Sequence, residues 1–223
     1  MMINLFSTFD PSTSSHMSLN WLSLFLPILL IPTMYWKISS QTQNTTTSLY
    51  SYVYNEIMSM HIKGPKGFTL MLFSLMWIIL IMNIMGLLPY SFTATSHLST
   101  TVTLGFTLWL SINVFGWVIN TRHMLTHMLP MGTPMALSTF MVCIETISNI
   151  IRPLTLAVRL SANMIAGHLL IVLLSSTLEK ASYMIIFTIM PVDLMLMLLE
   201  TGVALIQSYV FMTLLSLYLN ETN

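Results

Sequence analysis

Residues 145–168 read ETISNIIRPLTLAVRLSANMIAGH, and they carry a carboxylate, two arginines and a histidine within a run that is otherwise apolar enough to lie in lipid. A charged side chain near the centre of a bilayer costs roughly 2.5 to 3.5 kcal/mol on insertion scales, so such groups face protein or water and mark functional positions. The composition agrees, since 55% of the 223 residues are hydrophobic and 6% are charged, with a mean hydropathy of +0.81. We therefore predict an all-α integral membrane protein and take Arg159 as its first candidate functional residue.

The composition also argues against several other classes of protein. Soluble domains are about one-quarter charged, and transmembrane β-barrels need long alternating strands that this sequence lacks. The net charge is zero, which gives no reason to expect a nucleic acid as partner. We find no nucleotide-phosphate loop, metal-binding constellation or nucleophile with its base, so we predict no cofactor, no metal and no catalysis by this chain on its own.

About five membrane helices are predicted, because an apolar run of about 20 residues can cross a bilayer. The elements of the single membrane domain, residues 1–223, are a first span at 19–36, an in-plane amphipathic helix at 49–62, a hairpin of spans at 68–88 and 101–119, and two long segments at 135–174 and 183–219. A helix over 135–174 would be about 60 Å long, twice the hydrocarbon thickness. We expect the two long segments to form a steeply tilted hairpin, with Pro153 as a kink if the first of them is broken.

Basic residues indicate the orientation of the chain. If the first three spans each cross once, Lys37, Lys63, Lys66 and Arg122 fall on one side, and the other side has no Lys or Arg in its first two exposed pieces. By the positive-inside rule the basic side is the inner compartment. The N-terminus is therefore predicted to lie outside.

Ionisable residues in the two long segments repeat at a spacing that places them on one helix face. Positions seven apart return to nearly the same face, because each residue turns the helix by about 100°. The first set, in segment 135–174, is Glu145, Arg152 and Arg159, with Asn163 one turn beyond. The second set, in segment 183–219, is Asp193, Glu200 and Gln207, and Glu221 lies within about 60° of Glu200. We expect the two stripes to face each other.

Two clusters at opposite depths follow from an antiparallel hairpin. Glu145 and Glu221 lie toward the inner surface, His168 and Glu200 toward the outer one, and Arg159 between them. Carboxylates and imidazole can pass protons along water chains near neutral pH. A guanidinium keeps its proton, so it acts as a fixed positive charge that attracts a carboxylate on a moving partner and repels protons crossing directly. This arrangement predicts two half-channels divided by an arginine.

Two segments resemble subunit a, also called subunit 6, of the mitochondrial F-type ATP synthase: IETISNIIRPLTLAVRLSANMIAGHLL at 144–170 and LLETGVALIQSYVFMTLLSLYLNE at 198–221. The opening MMINLFSTFDPS resembles the arthropod members. The resemblance implies a multi-pass protein of the mitochondrial inner membrane, with its N-terminus in the intermembrane space and its C-terminus in the matrix. It also implies as partners the rotating c-ring, the peripheral-stalk subunit b and other membrane subunits, with protons as the transported species.

The same resemblance assigns roles to residues. It implies that Arg159 is the arginine beside the c-ring, that Asn163 and Gln207 are polar residues near it, that His168 and Glu200 form the outer half-channel pair, and that Glu145 and Glu221 are the inner carboxylates. Asp193 matches no position of the family pattern. Its place in the proton path rests on helical spacing alone.

Simpler interpretations remain open at several positions. Asp193 either takes up protons or caps the last helix after Pro191. Arg152 is interpreted as a structural partner of a lipid headgroup or the backbone, with membership of the proton path as the alternative. The histidines outside the spans are interpreted as solvent-facing; they are His16, His61, His97, His123 and His127.

Two other classes of protein would leave different signals in the sequence. A haem or quinone subunit would show paired histidines inside its spans, and an autonomous transporter would show internal repeats.

Overall fold

Helices make up most of the structure. A computed structural model describes residues 5–14, 16–30, 38, 40–60, 66–88, 91–129, 134, 137–178 and 182–222, and no strand occurs in these ranges. Their α-helices are α1 (Leu26–Leu30), α2 (Gln41–Met60), α3 (Lys66–Gly86), α4 (Leu98–Ile119), α5 (Thr121–His127), α6 (Ser138–Leu178) and α7 (Tyr183–Thr222), and short 3₁₀ helices lie at Leu5–Phe9, Leu19–Phe25 and Ala94–Ser96. The predicted all-α class is confirmed.

Among the described residues, four helices are long and apolar enough to cross a membrane, namely α3, α4, α6 and α7. Each observed end lies within four residues of the predicted one. The first predicted span, 19–36, is described only as far as Leu30, and its helical part, Leu19–Leu30, is too short to cross alone. Residues 31–36 lie outside the described residues, so this span stays a prediction.

The helix predicted at 49–62 begins eight residues earlier, at Gln41. Ser40 and Gln43 form a reciprocal cap: the Ser40 backbone N–H donates to Gln43 Oε1 at 3.0 Å, and the Gln43 N–H donates to Ser40 Oγ at 3.4 Å. This S-x-x-Q pattern is a capping box, which satisfies backbone donors at a helix start. The polar residues 41–48 are therefore the first part of α2, and their threonines donate back to helix carbonyls, as Thr45 does to Thr42 at 2.8 Å.

Ser40→Ala should destabilise the start of α2 by about 1 kcal/mol, because it removes the hydroxyl that caps the Gln43 N–H. Hydrogen–deuterium exchange of the peptide covering 40–48 in the detergent-solubilised protein measures the effect, and faster exchange is expected. Ser48→Ala is the control, since Ser48 Oγ donates only to the carbonyl of Thr45 inside the helix. Equal exchange in the two variants would contradict the capping role.

Helix α6 is continuous from Ser138 to Leu178, and Pro153 lies inside it. The alternative of a helix broken at Pro153 is therefore wrong, and the steep tilt of this helix in the membrane stays a prediction. Pro153 is buried against α4, where a Cβ on Gly105 would lie 3.5 Å from the Pro153 carbonyl oxygen and 3.4 Å from Ala157 Cβ. Close packing by a neighbouring helix is the usual condition for a proline within a membrane helix.

The core lies on one side of the α6–α7 hairpin, where α3 and α4 pack against it. Its buried members are Ile57, Leu72, Met76, Ile79, Leu108, Ile112, Leu156, Leu160, Phe211, Met212, Leu215 and Leu219. Another face of the hairpin is exposed, with apolar side chains such as Leu154, Val158 and Leu198. The core therefore fixes the hairpin and leaves this face open to lipid or to a partner.

Candidate functional site

Polar side chains join α6 and α7 at three levels. The residue numbers rise along α6 as they fall along α7, so the two helices are antiparallel. The three joined pairs are Arg152 with Glu221, Asn163 with Gln207, and His168 with Glu200. At the middle level Asn163 Nδ2 donates to Gln207 Oε1 at 3.2 Å. The first two of these pairs join residues of the two stripes inferred from helical spacing.

We call His168 and Glu200 the histidine cluster. His168 Nε2 lies 3.7 Å from Glu200 Oε1, and the side chains are only 16% and 5% exposed. Neither these atoms nor Glu200 Oε2 has a hydrogen-bond partner among the described residues. A buried carboxyl group in this setting costs free energy unless it binds a proton or water. The pair is therefore suited to exchanging a proton.

Gly167 allows this approach of the two helices. A Cβ at Gly167 would lie 2.5 Å from Glu200 Oε1 and 2.7 Å from its Cδ, closer than real contacts permit. Only a residue without a side chain lets the carboxylate of Glu200 lie against the backbone of α6 beside His168.

A cavity of about 710 Å³ reaches the histidine cluster, and His168 forms part of its wall. The N-terminal segment contributes Ser7, Thr8, Phe9, Asp10, Ser12 and Asn20 to it, and the turn after α3 contributes Ser91, Phe92 and Thr93. The Phe9 ring lies edge-on to the His168 ring at 6.5 Å. Hydrogen bonds from Ser12 lower the pKa of Asp10, so this exposed carboxylate is a fixed negative charge at the cavity.

We call Glu145, Arg152 and Glu221 the arginine cluster. Arg152 Nη1 donates to Glu221 Oε2, and Arg152 Nη2 lies 3.8 Å from Glu145 Oε1. The guanidinium also lies over the Tyr218 ring, 5.4 Å from its centroid. The partners of Arg152 among the described residues are thus the two carboxylates predicted to form the inner cluster, and a contact with a lipid headgroup stays a prediction.

Arg159 lies between the two clusters along α6, seven residues from Arg152 and nine from His168, or about 10 Å and 14 Å of helix. It is exposed on the surface of the chain. Within the described residues it has no hydrogen bond or ion pair, unlike Arg152. The buried positions of α6, such as Ala157 and Ser161, lie on the opposite side of the helix, so the guanidinium points away from the core.

Comparison with known proteins places this architecture in a family. The model of the ATP synthase A chain family matches residues 16–220. The chain belongs to the ATP synthase A chain family. It is 51% identical to "ATP synthase subunit a" of Aedes aegypti over 226 residues, and 50% identical to the proteins of that name in Drosophila mauritiana and Drosophila melanogaster over 224 residues. Each alignment covers 100% of both chains. The predicted family and its arthropod character are confirmed.

Two residues of this ATP synthase A chain stand apart from both clusters. Asp193 lies well inside α7, which begins at Tyr183 and continues through Pro191, so it does not cap the helix. Its Oδ1 is buried and without a hydrogen-bond partner among the described residues, and its place in a proton path stays a prediction. Asn83 of α3 is fully buried, and neither of its polar atoms has such a partner. Asn83 is the one strongly polar side chain of this apolar span, and the sequence alone assigns it no role.

Of the histidines predicted to face solvent, His16, His123 and His127 are exposed. His97 is not, because its ring lies 5.2 Å from both the Trp21 and the Phe92 rings and its Nε2 is buried. His61 lies outside the described residues. The described part of this A chain holds no group of three side chains placed to bind a metal.

Proposed function

We propose that this chain is the proton-translocating subunit of an F-type ATP synthase in the mitochondrial inner membrane. In this role it passes protons to and from carboxylates on a rotating c-ring, and it performs no chemistry on ATP itself. The observation that carries the proposal is the arrangement of two ionisable clusters on one helical hairpin with an unpaired arginine between them.

Proton uptake is assigned to the histidine cluster. The cavity lined by the N-terminal segment and the turn after α3 supplies a polar route to His168. Asp10 raises the local concentration of cations in this cleft, because clefts lined by one sign of charge concentrate counter-ions. From His168 the proton passes to Glu200, which lies next to it and is nearly enclosed by protein. Glu200 then transfers the proton toward the exposed face of the hairpin.

Proton release is assigned to the arginine cluster. A second, smaller cavity of about 50 Å³ is lined by Arg152 and Glu221 together with Met124 and His127, which lie beyond the other end of α4. The two cavities are thus at opposite ends of α4, and the release cavity adjoins the helix that carries Arg122. The positive-inside rule then assigns release to the matrix and uptake to the intermembrane space. Lys37 and Lys63, which contribute to this orientation, lie outside the described residues.

Arg159 is assigned the division between the two paths. A guanidinium exposed on a lipid-facing helix is costly, so a partner with a complementary group has to cover it. A ring carboxylate meets this need: it loses its proton when it reaches Arg159, and it carries a new proton away through lipid in neutral form. The peripheral-stalk subunit b and other membrane subunits are proposed to hold this chain against the ring.

Separate effects of Glu200→Gln and Glu221→Gln test the proposal. Each should slow proton flow through the assembled complex by about tenfold or more, because positioned proton-transfer groups contribute roughly 10² to 10⁴-fold to rate. Acidifying the uptake side should relieve Glu200→Gln, and only alkalinising the release side should relieve Glu221→Gln. The measurement is proton flux through the complex in vesicles whose two sides are buffered separately.

Glu56→Gln is the matched control, since Glu56 is an exposed carboxylate on α2, far along the chain from both clusters. It should leave the flux unchanged. Equal and negligible effects of all three substitutions in fully assembled complexes would refute the proposed function.

A further inference from the structure

Arg152 has ion pairs to two different helices, yet the proton route above does not use it. Its guanidinium contacts Glu145 on its own helix and Glu221 on α7, and it lies over Tyr218. All three charged side chains are partly exposed, at 30%, 27% and 40% for Arg152, Glu145 and Glu221. Arg152 and Glu221 line the small cavity, and none of the three side chains is sealed in the core.

We propose that Arg152 is a positioning residue that holds the two release carboxylates, Glu145 and Glu221, around one guanidinium that lines the release cavity. The inference rests on the proposed function, because it gives these carboxylates the task of accepting the proton. A guanidinium presents several donors in a fixed plane, so one arginine can bind two carboxylates at once, whereas an ammonium is a point charge. The Tyr218 ring beneath it fixes that plane through a cation–π contact.

The end of α7 is docked independently of Arg152. A Cβ on Gly116 of α4 would lie 3.1 Å from Thr222 Cβ and 3.2 Å from Met124 Sδ, so the backbones of α4 and α7 meet closely beside Glu221. Thr222 is itself buried. Loss of the ion pairs should therefore leave the helix in place and release only the carboxylate side chains.

Few other charged side chains line the small cavity beside Arg152. Besides Arg152 and Glu221, the titratable groups among the described lining residues are Tyr218 of α7 and His127 of α5. From α4 the cavity is lined by Trp109, Ile112 and Asn113, which carry no charge. Arg152 is thus the one permanent positive charge among the described lining residues.

A double-mutant cycle tests the inference in the assembled complex. Arg152→Gln and Glu221→Gln should each slow proton release by about tenfold or more, and the double variant should be no slower than the slower single variant, because residues acting as one unit are not additive. Arg152→Lys should recover only part of the rate. Proton flux in vesicles with separately buffered sides is the measurement, normalised to the amount of assembled complex.

The outcomes separate the two proposals. If Glu221→Gln slows release but Arg152→Gln does not, or if the two effects multiply in the double variant, the positioning role is wrong and the proposed function stands. If Glu221→Gln has no effect, the release assignment itself fails. Tyr218→Leu keeps the inference testable if Arg152→Gln does not assemble: it removes the ring beneath the guanidinium and should slow release while uptake stays normal. Normal release in Tyr218→Leu would then overturn the inference.

Discussion

Arg159→Ala is expected to lower proton-driven ATP synthesis by the assembled complex at least about a hundredfold, the loss typical when one preorganised electrostatic group is removed. The guanidinium is exposed and without a protein partner in the described chain, so its charge is available to a neighbouring subunit. Without it, no other described cation lies at this level of the hairpin to attract the ring carboxylate of the proposed mechanism. ATP synthesis driven by an imposed proton gradient in vesicles is the measurement.

Two further variants define what Arg159 contributes. Arg159→Lys keeps the charge but not the planar set of donors, so it should retain more activity than alanine and less than the wild type. Arg122→Ala is the control for the loss of one positive charge, because Arg122 is an exposed arginine on α5. Retention of half or more of the wild-type rate in assembled Arg159→Ala complexes would contradict the proposed division of the two paths.

The sequence predicted the hairpin and its polar stripes well, for a physical reason. Membrane helices have to satisfy their own backbone hydrogen bonds, so length and hydropathy locate them, and ionisable residues within them are rare enough to be informative. Helical spacing alone placed Glu145 and Arg159 on one face. The pairing of His168 with Glu200, whose atoms lie 3.7 Å apart, was predicted instead from their depth in an antiparallel hairpin.

Other features depended on local chemistry that hydropathy does not report. The start of α2 was misplaced because its first residues are polar, although Ser40 and Gln43 carry a capping box that specifies a helix. Spacing along α6 placed Glu145 on the same face as Arg152, but it could not reveal Glu221, which is 69 residues away and reaches Arg152 only after the hairpin closes. His97 was assigned to solvent because it lies in a turn, and its aromatic neighbours come from distant parts of the chain.

Gly167→Ala is expected to slow proton uptake about as much as Glu200→Gln does, without unfolding the chain. The added Cβ would lie 2.5 Å from Glu200 Oε1, so the carboxylate has to move. The end of a glutamate side chain moves easily, and alanine favours a helix over glycine by about 1 kcal/mol, so the fold should be retained. The displaced carboxylate can no longer lie beside His168. Proton flux at several pH values on the uptake side is the measurement, and acidification should relieve the defect.

The geometry also predicts a rescue. Glu200→Asp shortens the side chain by one methylene, so it should restore flux when combined with Gly167→Ala and reduce flux when made alone. Gly67→Ala is the matched control, because a Cβ at Gly67 meets no atom within 4 Å. A general effect of lost helix flexibility would not be repaired by shortening the acid. Rescue by Glu200→Asp therefore tests whether Gly167 matters through the carboxylate it admits, and its failure would separate Gly167 from the uptake path.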